Sequence, residues 1–493
     1  MHICFVCREY LPSKRGGGIA TYIRGVAQGF CAAGQKVTVI CASDNTQQES
    51  QYKDGDVNVI RLSGGDFIIP NVEKDTLLRK FRIFYRFKSY RKKLRDTVLT
   101  LKNVDIIEVA EYGAEGLYLE NIGIPVVTRL HTPMLMDHYT FKKMVFGKQT
   151  WKFWWQGLQE FKCIKQAQHI TSCSTSLKEW TVKELNIDAD KIKIIYNPIR
   201  IEHSLSPTPK YGSPLKDNHQ YEILYVGTIC DWKGVGDLCE AINILANKGL
   251  QIRLTMIGKQ GSFSETLKGK YKKMTWFNMK GFTPREEVMQ MYTQADIVCF
   301  PSWWENFPMV CLEAMSQGAI VLGSNSGGMS EIIEDNKSGF LIEPHNASGL
   351  AVKIGQILQL SEEEKLSISQ NAKQRIKNEF SMETIMEQQI QLNDHNKQEY
   401  PPMHTAEHLL NATMVKTFGC LRSRNAHIER KKSKCDYELP EEPTAEIMAE
   451  VERRVNEVID RHLPVTIEFV PKAEAKEIVD LSKLPEDASD TLR

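Results

Sequence analysis

Two glutamates eight residues apart, Glu305 and Glu313, are the side chains of this sequence best placed to do chemistry. The pattern predicts that Glu305 lies in a loop after a strand and that Glu313 lies on the following helix. Loop amides and a helix N-terminus at such a place can face a polar, anionic ligand. A carboxylate there accepts paired hydrogen bonds from vicinal hydroxyls of a sugar. Further on, Gly327 and Gly328 precede another helix and permit close approach of the backbone to a diphosphate.

The elements that must position these residues follow the same plan in both halves of the chain. Each half opens with a short apolar strand, a glycine-containing turn and an amphipathic helix. Strands and helices then alternate, which favours parallel sheets with helices on both faces. We therefore predict the α/β class with two Rossmann-like halves. The predicted strands include Ile3–Cys7, Lys36–Cys41 and residues 105–109, 125–130, 169–173, 192–196, 223–226, 253–258, 297–301 and 320–323.

Changes in composition predict the domain boundaries. A polar stretch rich in Pro and Ser over residues 200–220 is typical of a linker, so the first domain spans residues 1–199 and the second spans residues 221–380. Residues 381–399 are predicted to form a helix that returns towards the first domain. A Pro-Pro pair, an excess of acidic side chains and different motifs mark residues 400–493 as an appended α+β segment.

The overall composition excludes several classes of protein. The chain has 493 residues, too many for a single core, and its 63 Lys and Arg balance 62 Asp and Glu. A nearly neutral chain argues against binding nucleic acid through a large basic field. No apolar run approaches the roughly 18 to 20 residues that cross a bilayer, and the N-terminus lacks the pattern of a secretion signal. The 12 scattered cysteines are typical of buried, reduced thiols in the cytoplasm.

Taken in order, the motifs resemble those of the retaining glycosyltransferases of family 4, which have the GT-B fold. The resemblance is carried by the Glu-x7-Glu pair, by EAM and GG-x-x-E after it, and by the glycines near the N-terminus. It extends to HTP at 131–133, YNPI at 196–199 and VGTICDWKG at 226–234, and covers residues 1–395. It implies two Rossmann-like domains that face a cleft, the first for the acceptor and the second for a nucleotide sugar. It also implies transfer with retention of configuration, by front-face attack and without a metal or another cofactor.

The resemblance implies roles for several residues of the second domain. Glu305 would hold hydroxyls of the donor sugar, assisted by the amides of Asn306 and Phe307. Glu313 would bind the ribose hydroxyls of the nucleotide, and Gly281–Phe282 would lie near its base. Without the family, Glu313 on an otherwise apolar helix would be better explained as a carboxylate that caps a neighbouring backbone.

Lys233, Gly17, Gly18 and His131 complete the site that the resemblance implies. Lys233 would neutralise the diphosphate leaving group with help from the amides of Gly17 and Gly18, and His131 would lie beside the transferred sugar. Breaking the bond between sugar and phosphate builds negative charge, which a fixed cation and helix-end amides stabilise. The structural alternatives are a solvated lysine in a turn and a satisfied polar histidine at a strand end.

Two departures from the family pattern concern the same site. Thr228 stands where the family often has an arginine, so one phosphate cation is missing or is supplied by Lys259 or Arg285. Pro308 stands where the family usually has a glycine, which removes one amide donor from the sugar-binding loop. These changes leave open a non-catalytic protein that binds nucleotide sugars without turnover.

Basic and aromatic residues are interleaved in two segments of the first half. Residues 79–95 carry Lys and Arg but no acid, together with Phe and Tyr, and Trp151, Trp154, Trp155 and Leu158 recur at helical spacing. Positive helices rich in aromatic residues suit the surface of an anionic bilayer, which would serve a lipid-linked acceptor. The alternative is that the aromatic rings pack on the first sheet while the charges form a solvated face.

The appended segment carries a candidate metal motif. His404 and His408 lie four residues apart, on one face of a predicted helix, which is a spacing found in zinc sites. The sequence HTAEHLL resembles the editing domain of alanyl- and threonyl-tRNA synthetases, which completes its zinc site with a later Cys-x3-His that this chain lacks. Weak or partial zinc binding, and a truncated or fused fragment without activity, therefore stand beside a zinc-dependent aminoacyl-tRNA editing hydrolase.

The sequence favours a glycosyltransferase over these alternatives. The expected reaction moves a hexose from a UDP- or GDP-linked donor to a glycan or a lipid-linked acceptor, in the synthesis of cell-surface polysaccharide or glycolipid. The expected location is the cytoplasm, with peripheral contact to the inner face of the membrane. Nucleic acid is not an expected partner of the transferase.

Overall fold

The computed structural model divides the chain into two compact units, Met1–Gln389 and Ile390–Arg493. Both predicted Rossmann-like halves lie in the first unit. The residues that the structure describes are 1–13, 17–44, 48–65, 77–136, 151–201, 219–387, 401–421, 423, 425–427, 434–461, 470–471 and 491–492.

The first sheet is parallel apart from one edge strand. Its strands among the described residues are β1 (His2–Val6), β2 (Lys36–Ala42), β3 (Ser50–Asp54), β4 (Val57–Leu62), β5 (Ile106–Ala110), β6 (Val126–Leu130), β7 (His169–Ser172) and β8 (Ile192–Ile194). They lie in the order β3-β4-β2-β1-β5-β6-β7-β8, and β3 runs antiparallel to β4. The central strand β1 is buried along its whole length, as expected for a strand with helices on both faces.

Helices lie between the strands of this sheet. Those described are α1 (Gly18–Ala32), α2 (Leu77–Thr100), α3 (Trp151–Gln166) and α4 (Thr175–Leu185), with 3-10 helices at Glu115–Tyr118 and Ala189–Lys191. Ser174 begins α4 by accepting a hydrogen bond from the Leu177 amide at 3.1 Å, whereas Gly17 before α1 has no side chain that could cap its first amides. The α1 N-terminus therefore presents its amides at the C-terminal edge of the sheet.

The second sheet is entirely parallel over its described residues. Its strands are β9 (Tyr221–Val226), β10 (Ile252–Ile257), β11 (Phe277–Lys280), β12 (Ile297–Phe300), β13 (Val321–Ser324) and β14 (Phe340–Ile342). The order β11-β10-β9-β12-β13-β14 reverses direction between β9 and β12. In sheets of this kind a ligand binds at the carboxyl ends of the strands where the order reverses.

Helices of the second half follow the same alternation. They are α5 (Val235–Asn247), α6 (Ser262–Tyr271), α7 (Arg285–Gln294), α8 (Met309–Ser316), α9 (Met329–Ile332), α10 (Ala347–Leu358) and α11 (Glu362–Glu379), with a 3-10 helix at Asp231–Lys233. The predicted fold class is therefore confirmed. The sequence analysis missed β3, β4, β11 and β14. Of these, β3 is largely exposed and lacks the apolar pattern of the inner strands.

After α11 the chain contacts the first half again. The Ile199 amide donates to the Phe380 carbonyl at 2.8 Å, and the Met382 amide donates to the Ile199 carbonyl at 3.0 Å. Residues 382–387 are helical. A Cβ atom on Gly29 of α1 would lie 2.9 Å from the sulfur atoms of Met382 and Met386, so this glycine lets the two elements pack closely. Residues 388–400 lie outside the described residues, as do residues 202–218 of the predicted linker.

The α2 aromatic residues whose side chains the structure describes divide between the core and the surface. Phe87 and Tyr90 are buried, and the ring of Trp155 packs edge-on against Phe84 at 4.5 Å and Phe87 at 4.7 Å between centroids. Tyr85 is 73% exposed. The structural alternative thus applies to Phe87 and Tyr90, while Tyr85 and part of Phe84 face outwards.

The residues at helical spacing on α3 lie in different environments. Leu158 is 50% exposed, whereas Phe161 and Ile164 are buried and Trp154 packs against the same core as they do. Leu158 is therefore not part of the core that Phe161 and Ile164 share, and contact of this face with a bilayer stays a prediction. The side chain of Trp151 lies outside the described residues. Among the helices that the structure describes, none is both long enough and apolar enough to cross a membrane.

The second compact unit contains helices and short antiparallel strands. Its described elements are α12 (Pro401–Phe418), β15 (Asn425–His427), β16 (Lys434–Asp436), α13 (Ala445–Asp460), β17 (Val470–Pro471) and β18 (Thr491–Leu492). Buried Asn411 on α12 accepts hydrogen bonds from the Ser423 amide and the Tyr437 hydroxyl, both at 3.0 Å. This buried amide joins the helix to the segment that follows it.

Candidate active site

A cavity of about 350 Å³ lies where residues that follow strands of the two sheets face one another. Residues of both halves form its wall, as a binding site in a cleft between two domains requires. The lining residues are Gly18, Ile19, His131, Thr132, Cys173, Asn197, Tyr225, Val226, Gly227, Thr228, Lys233, Phe300, Ser302, Glu305, Phe307, Pro308, Met309 and Val310.

Lys233 and Glu305 form an ion pair at this cavity. Lys233 ends the 3-10 turn after β9, and its Nζ donates to Oε1 of Glu305, which also accepts from Ser302 Oγ at 2.8 Å. Gly234 makes this placement possible: it has a left-handed φ of +66°, and a Cβ atom there would lie 1.9 Å from the Pro301 carbonyl oxygen. The structure thus brings together the predicted cation and the predicted sugar-binding carboxylate.

His131 lines the cavity from the first half. It follows β6, is 6% exposed, and its ring lies edge-on to Tyr22 with 4.9 Å between centroids. Burial and the nearby Arg129 hold the pKa of His131 well below its ordinary value, so the imidazole is neutral. Its Nε2 atom is buried and has no hydrogen-bond partner among the described residues. A buried polar atom without a partner at a cavity wall is suited to bind a ligand hydroxyl.

Two buried carboxyl groups hold the loop that carries His131. Oε1 of Glu111 accepts from the amides of His131 at 2.8 Å and of Thr132 at 2.5 Å. Glu160 on α3 accepts from the amide of Met134 at 2.7 Å. Burial raises the pKa of Glu111 to about 7 and that of Glu160 to about 8. The sequence analysis missed both residues, although Glu111 directly follows a buried strand, where functional side chains of parallel sheets are often found.

Glu313 lies outside the cavity wall. It stands on α8 with 13% of its side chain exposed, and Arg285 contacts it at 3.0 Å. Arg285, offered as a replacement for the missing phosphate cation, is therefore paired with the predicted ribose carboxylate. The other candidate for that cation, Lys259, is exposed. Its carbonyl accepts from the Ile229 amide at 2.9 Å, so its backbone lies next to Thr228.

The glycines expected at the diphosphate have another structural role. The Gly328 amide donates to the Glu305 carbonyl at 2.7 Å, and a Cβ atom on Gly328 would lie 1.9 Å from the Asn306 carbonyl oxygen. Gly327 has a φ of +61°, and a Cβ there would lie 2.2 Å from the Glu305 carbonyl oxygen. Neither glycine lines the cavity. Their backbone supports the loop that carries Glu305.

Other predicted residues divide between the cavity wall and the surface. Phe307 lines the cavity and stacks on Tyr196 with 5.0 Å between centroids, and Gly18 lines it from the N-terminus of α1. Phe282 is 94% exposed, and neither it nor Gly281 lines the cavity. Contact of these two residues with a nucleotide base stays a prediction.

The two halves also meet beside the cavity. Glu331 on α9 accepts from the amides of Thr175 at 2.8 Å and Ser176 at 3.0 Å, in the first turn of α4. Asn197, which follows β8, donates to the Phe307 carbonyl of the second half at 3.4 Å. A carboxylate at a helix N-terminus interacts favourably with the helix dipole, so this contact stabilises the arrangement of the halves.

The predicted metal motif of the second unit is described only in part. Within the described residues, no group of three or more His, Cys, Asp or Glu is placed to hold a metal. His408 on α12 is exposed, and the side chain of His404 lies outside the described residues. Zinc binding by this pair stays a prediction.

Two Rossmann-like halves with a cavity between their strand ends define the GT-B class of fold. Comparison of the whole chain with solved structures agrees. Sucrose-phosphate synthase from Thermosynechococcus elongatus has a TM-score of 0.62 at 18% identity, over 80% of this chain and 98% of that one. HepE from Anabaena, in complex with UDP-glucose, has a TM-score of 0.57 at 18% identity, over 79% of this chain and 98% of that one. At this identity the likeness establishes the fold.

Family models identify the chain within this class. Residues 16–203 match the model described as Glycosyltransferase Family 4, and residues 211–375 match the model described as Glycosyl transferases group 1. The two matches together cover most of the first compact unit. The chain therefore belongs to the glycosyltransferases that these two models describe. Neither match extends into residues 400–493, so the resemblance of that segment to tRNA-editing domains has no support from them.

Sequence relatives of this chain also carry the name glycosyltransferase. An uncharacterized glycosyltransferase of Methanocaldococcus jannaschii is 25% identical over 375 residues, which are 73% of this chain and 89% of that protein. The capsular polysaccharide biosynthesis glycosyltransferase CapM of Staphylococcus aureus is 27% identical over 180 residues, which are 36% of this chain and 47% of that protein.

Proposed function

We propose that this glycosyltransferase moves a hexose from a UDP- or GDP-linked donor to a glycan or lipid-linked acceptor, with retention of configuration and without a metal. The observation that carries the proposal is the meeting of Glu305, Lys233 and His131 at one cavity. Capsular polysaccharide synthesis in the name of a relative supports a role in making cell-surface polysaccharide or glycolipid.

The ion pair at the cavity supports a role in binding and in charge stabilisation. Lys233 and Glu305 neutralise each other in the structure. A bound nucleotide sugar would replace both partners: its diphosphate attracts Lys233, and its hydroxyls donate to Glu305. As the bond from the anomeric carbon to the phosphate oxygen breaks, Lys233 and the α1 amides at Gly18 stabilise the growing negative charge.

The composition of the cavity wall supports front-face attack. Glu305 is the one carboxylate among the described lining residues, and it already accepts from Lys233 and Ser302. In the proposed step the acceptor oxygen bonds to the anomeric carbon on the face that the leaving phosphate vacates. The acceptor proton passes to that phosphate, so the nucleoside diphosphate is released without a covalent intermediate. Neutral His131 orients a sugar hydroxyl through Nε2.

A lipid-linked acceptor would place the enzyme at an anionic membrane surface on the cytoplasmic side. Exposed Tyr85 and half-exposed Phe84 stand on α2 beside exposed Arg82 and Lys88. Aromatic and basic side chains on one helix suit the interface of such a bilayer.

A panel of nucleotide sugars tests the proposal, with thermal shift for binding and product analysis for transfer. We expect one donor to raise the melting temperature and to be transferred with its anomeric configuration retained in the presence of EDTA. Lys233→Ala should lower kcat about 100- to 1,000-fold, by the magnitude found for a lost charge-stabilising donor. Lys248→Ala, an exposed lysine on the outside of the same half, is the matched control and should match wild type.

Other outcomes would separate the alternatives. A donor that stabilises the protein but is never transferred or hydrolysed, with any tested glycan or lipid-linked acceptor, would indicate a nucleotide-sugar binding protein. An inverted product, or loss of transfer in EDTA with recovery on adding a divalent ion, would overturn the proposed mechanism.

A further inference from the structure

Asn306 directs its side chain into the first half of the protein. It follows Glu305 in the loop after β12 and is 8% exposed. Its Nδ2 donates to the His131 carbonyl and to Thr132 Oγ1, both at 2.8 Å. Its Oδ1 accepts from Trp304 Nε1 at 2.8 Å. Both amide hydrogens and the carbonyl oxygen of this side chain are thus used.

The loop that Asn306 contacts is held on its other side as well. The amides of His131 and Thr132 bond to Glu111, and the amide of Met134 bonds to Glu160. Pro133 has no amide hydrogen. Every amide hydrogen from 131 to 134 therefore bonds to a buried carboxyl group, while Asn306 bonds to the loop from across the cleft.

The loop that carries Glu305 is fixed in the same way. The carbonyl of Glu305 accepts from the Gly328 amide at 2.7 Å, and the side chain of Glu305 is held by Lys233 and Ser302. Asn306 is a direct hydrogen-bonded connection from this supported loop to the supported loop of His131. A displacement of about 1 Å between groups that orient a substrate can lower the rate about 100-fold.

We propose that Asn306 is a positioning residue that sets the place of His131 relative to Glu305 across the cleft. This inference rests on the proposed function and assigns the side chain a role separate from its backbone amide, for which the family resemblance implies donor binding. The residue type fits the role: the site requires two hydrogen-bond donors and one acceptor. An aspartate would set a carboxylate against the His131 carbonyl oxygen, and an alanine would remove one hydrogen-bond partner from each of three polar atoms.

Transfer kinetics of Asn306→Ala and Asn306→Asp test the proposal in the full-length protein. We expect kcat to fall about 10- to 100-fold, while the dissociation constant of the donor stays within about two-fold of wild type. In a His131→Ala background, Asn306→Ala should cause little further loss, because its effect is exerted through His131. Asn325→Ala is the matched control, since that exposed asparagine bonds to Glu343 in the same half at 3.0 Å.

A second readout does not depend on transfer. Hydrogen exchange of a peptide covering residues 128–136 should be faster in Asn306→Ala than in wild type, and unchanged in Asn325→Ala. Thr132→Val removes one of the two acceptors from the opposite loop, and should raise the exchange rate in the same peptide by a smaller factor. This variant keeps the test open if Asn306→Ala does not fold.

The outcomes are distinguishable. A wild-type protein that transfers no sugar would defeat the proposed function, while hydrogen exchange would still decide whether Asn306 holds the loop. Unchanged exchange in Asn306→Ala and Thr132→Val would overturn the inference. So would a donor dissociation constant that rises by the same factor as kcat falls, or losses that multiply in the His131→Ala background.

Discussion

The carboxyl group of Glu111 holds two amides of the His131 loop with one oxygen only. Its other oxygen, Oε2, is buried and has no hydrogen-bond partner among the described residues. Burial raises the pKa of Glu111 to about 7, from about 4.3 in an unfolded chain. Between these values the folded protein binds more protons than the unfolded chain. The contribution of Glu111 to stability therefore falls as pH rises through this window and is constant above it.

Glu111→Gln should flatten this pH dependence. Glutamine keeps an acceptor oxygen for the two amides and cannot ionise. We expect wild type to lose about 2 kcal/mol more unfolding free energy than the variant between pH 5 and pH 8. Urea unfolding at several pH values measures the difference, with the exposed Glu286→Gln as control. Parallel pH curves for wild type and Glu111→Gln would contradict the argument.

At the scale of elements, the turn before α9 supports the loop between β12 and α8. Gly327 and Gly328 leave room for the carbonyl groups of Glu305 and Asn306, which lie where glycine Cβ atoms would otherwise project. Because the opposing atoms are backbone atoms, they cannot move aside as a flexible side chain could. The short helix α9 and the loop that carries Glu305 therefore keep a fixed relative position.

Gly328→Ala should displace that loop. The added methyl group would lie 1.9 Å from the Asn306 carbonyl oxygen, so we expect a loss of about 1–3 kcal/mol of unfolding free energy together with weaker donor binding. Thermal unfolding and donor titration measure the two effects. Gly269→Ala is the control, because that helical glycine has nothing within 4 Å of its Cβ position and alanine there should stabilise by up to about 1 kcal/mol. Wild-type stability and donor affinity in Gly328→Ala would contradict this account.

At the scale of the whole molecule, the residues of the cavity and both family matches lie in the first compact unit. Residues 382–387 belong to that unit and bury Met382, Ile385 and Met386. The C-terminal boundary of the first compact unit therefore lies after residues 382–387 and not directly after α11.

A chain that stops after Gln389 should fold and bind the donor like the full chain. We expect its donor dissociation constant and kcat to lie within about two-fold of the full-length values, since it keeps every lining residue. A chain that stops after Ser381 is the matched control and should melt at a lower temperature, because it loses three buried apolar side chains. Loss of donor binding in the chain that stops after Gln389 would show that residues 390–493 contribute to the site.

Local patterns in the sequence were sufficient to predict the two Rossmann-like halves. Buried strands, glycine turns and amphipathic helices are set by short-range periodicity, whereas the strand order came from the structure. The same motifs place Lys233 after β9 and Glu305 after β12. Because these two neighbouring strands are parallel, they end at the same edge of the sheet, and the two side chains meet in one cavity.

Tertiary packing alone decided the remaining features. The contact from Asn306 to His131 joins residues 175 positions apart, and nothing near either residue indicates it. Burial of Phe87 under Trp155, and exposure of Leu158, depend on how α2 and α3 pack on each other and on the sheet. Local periodicity determines which elements form, whereas the partner of each polar or aromatic side chain is determined by the relative placement of elements distant in sequence.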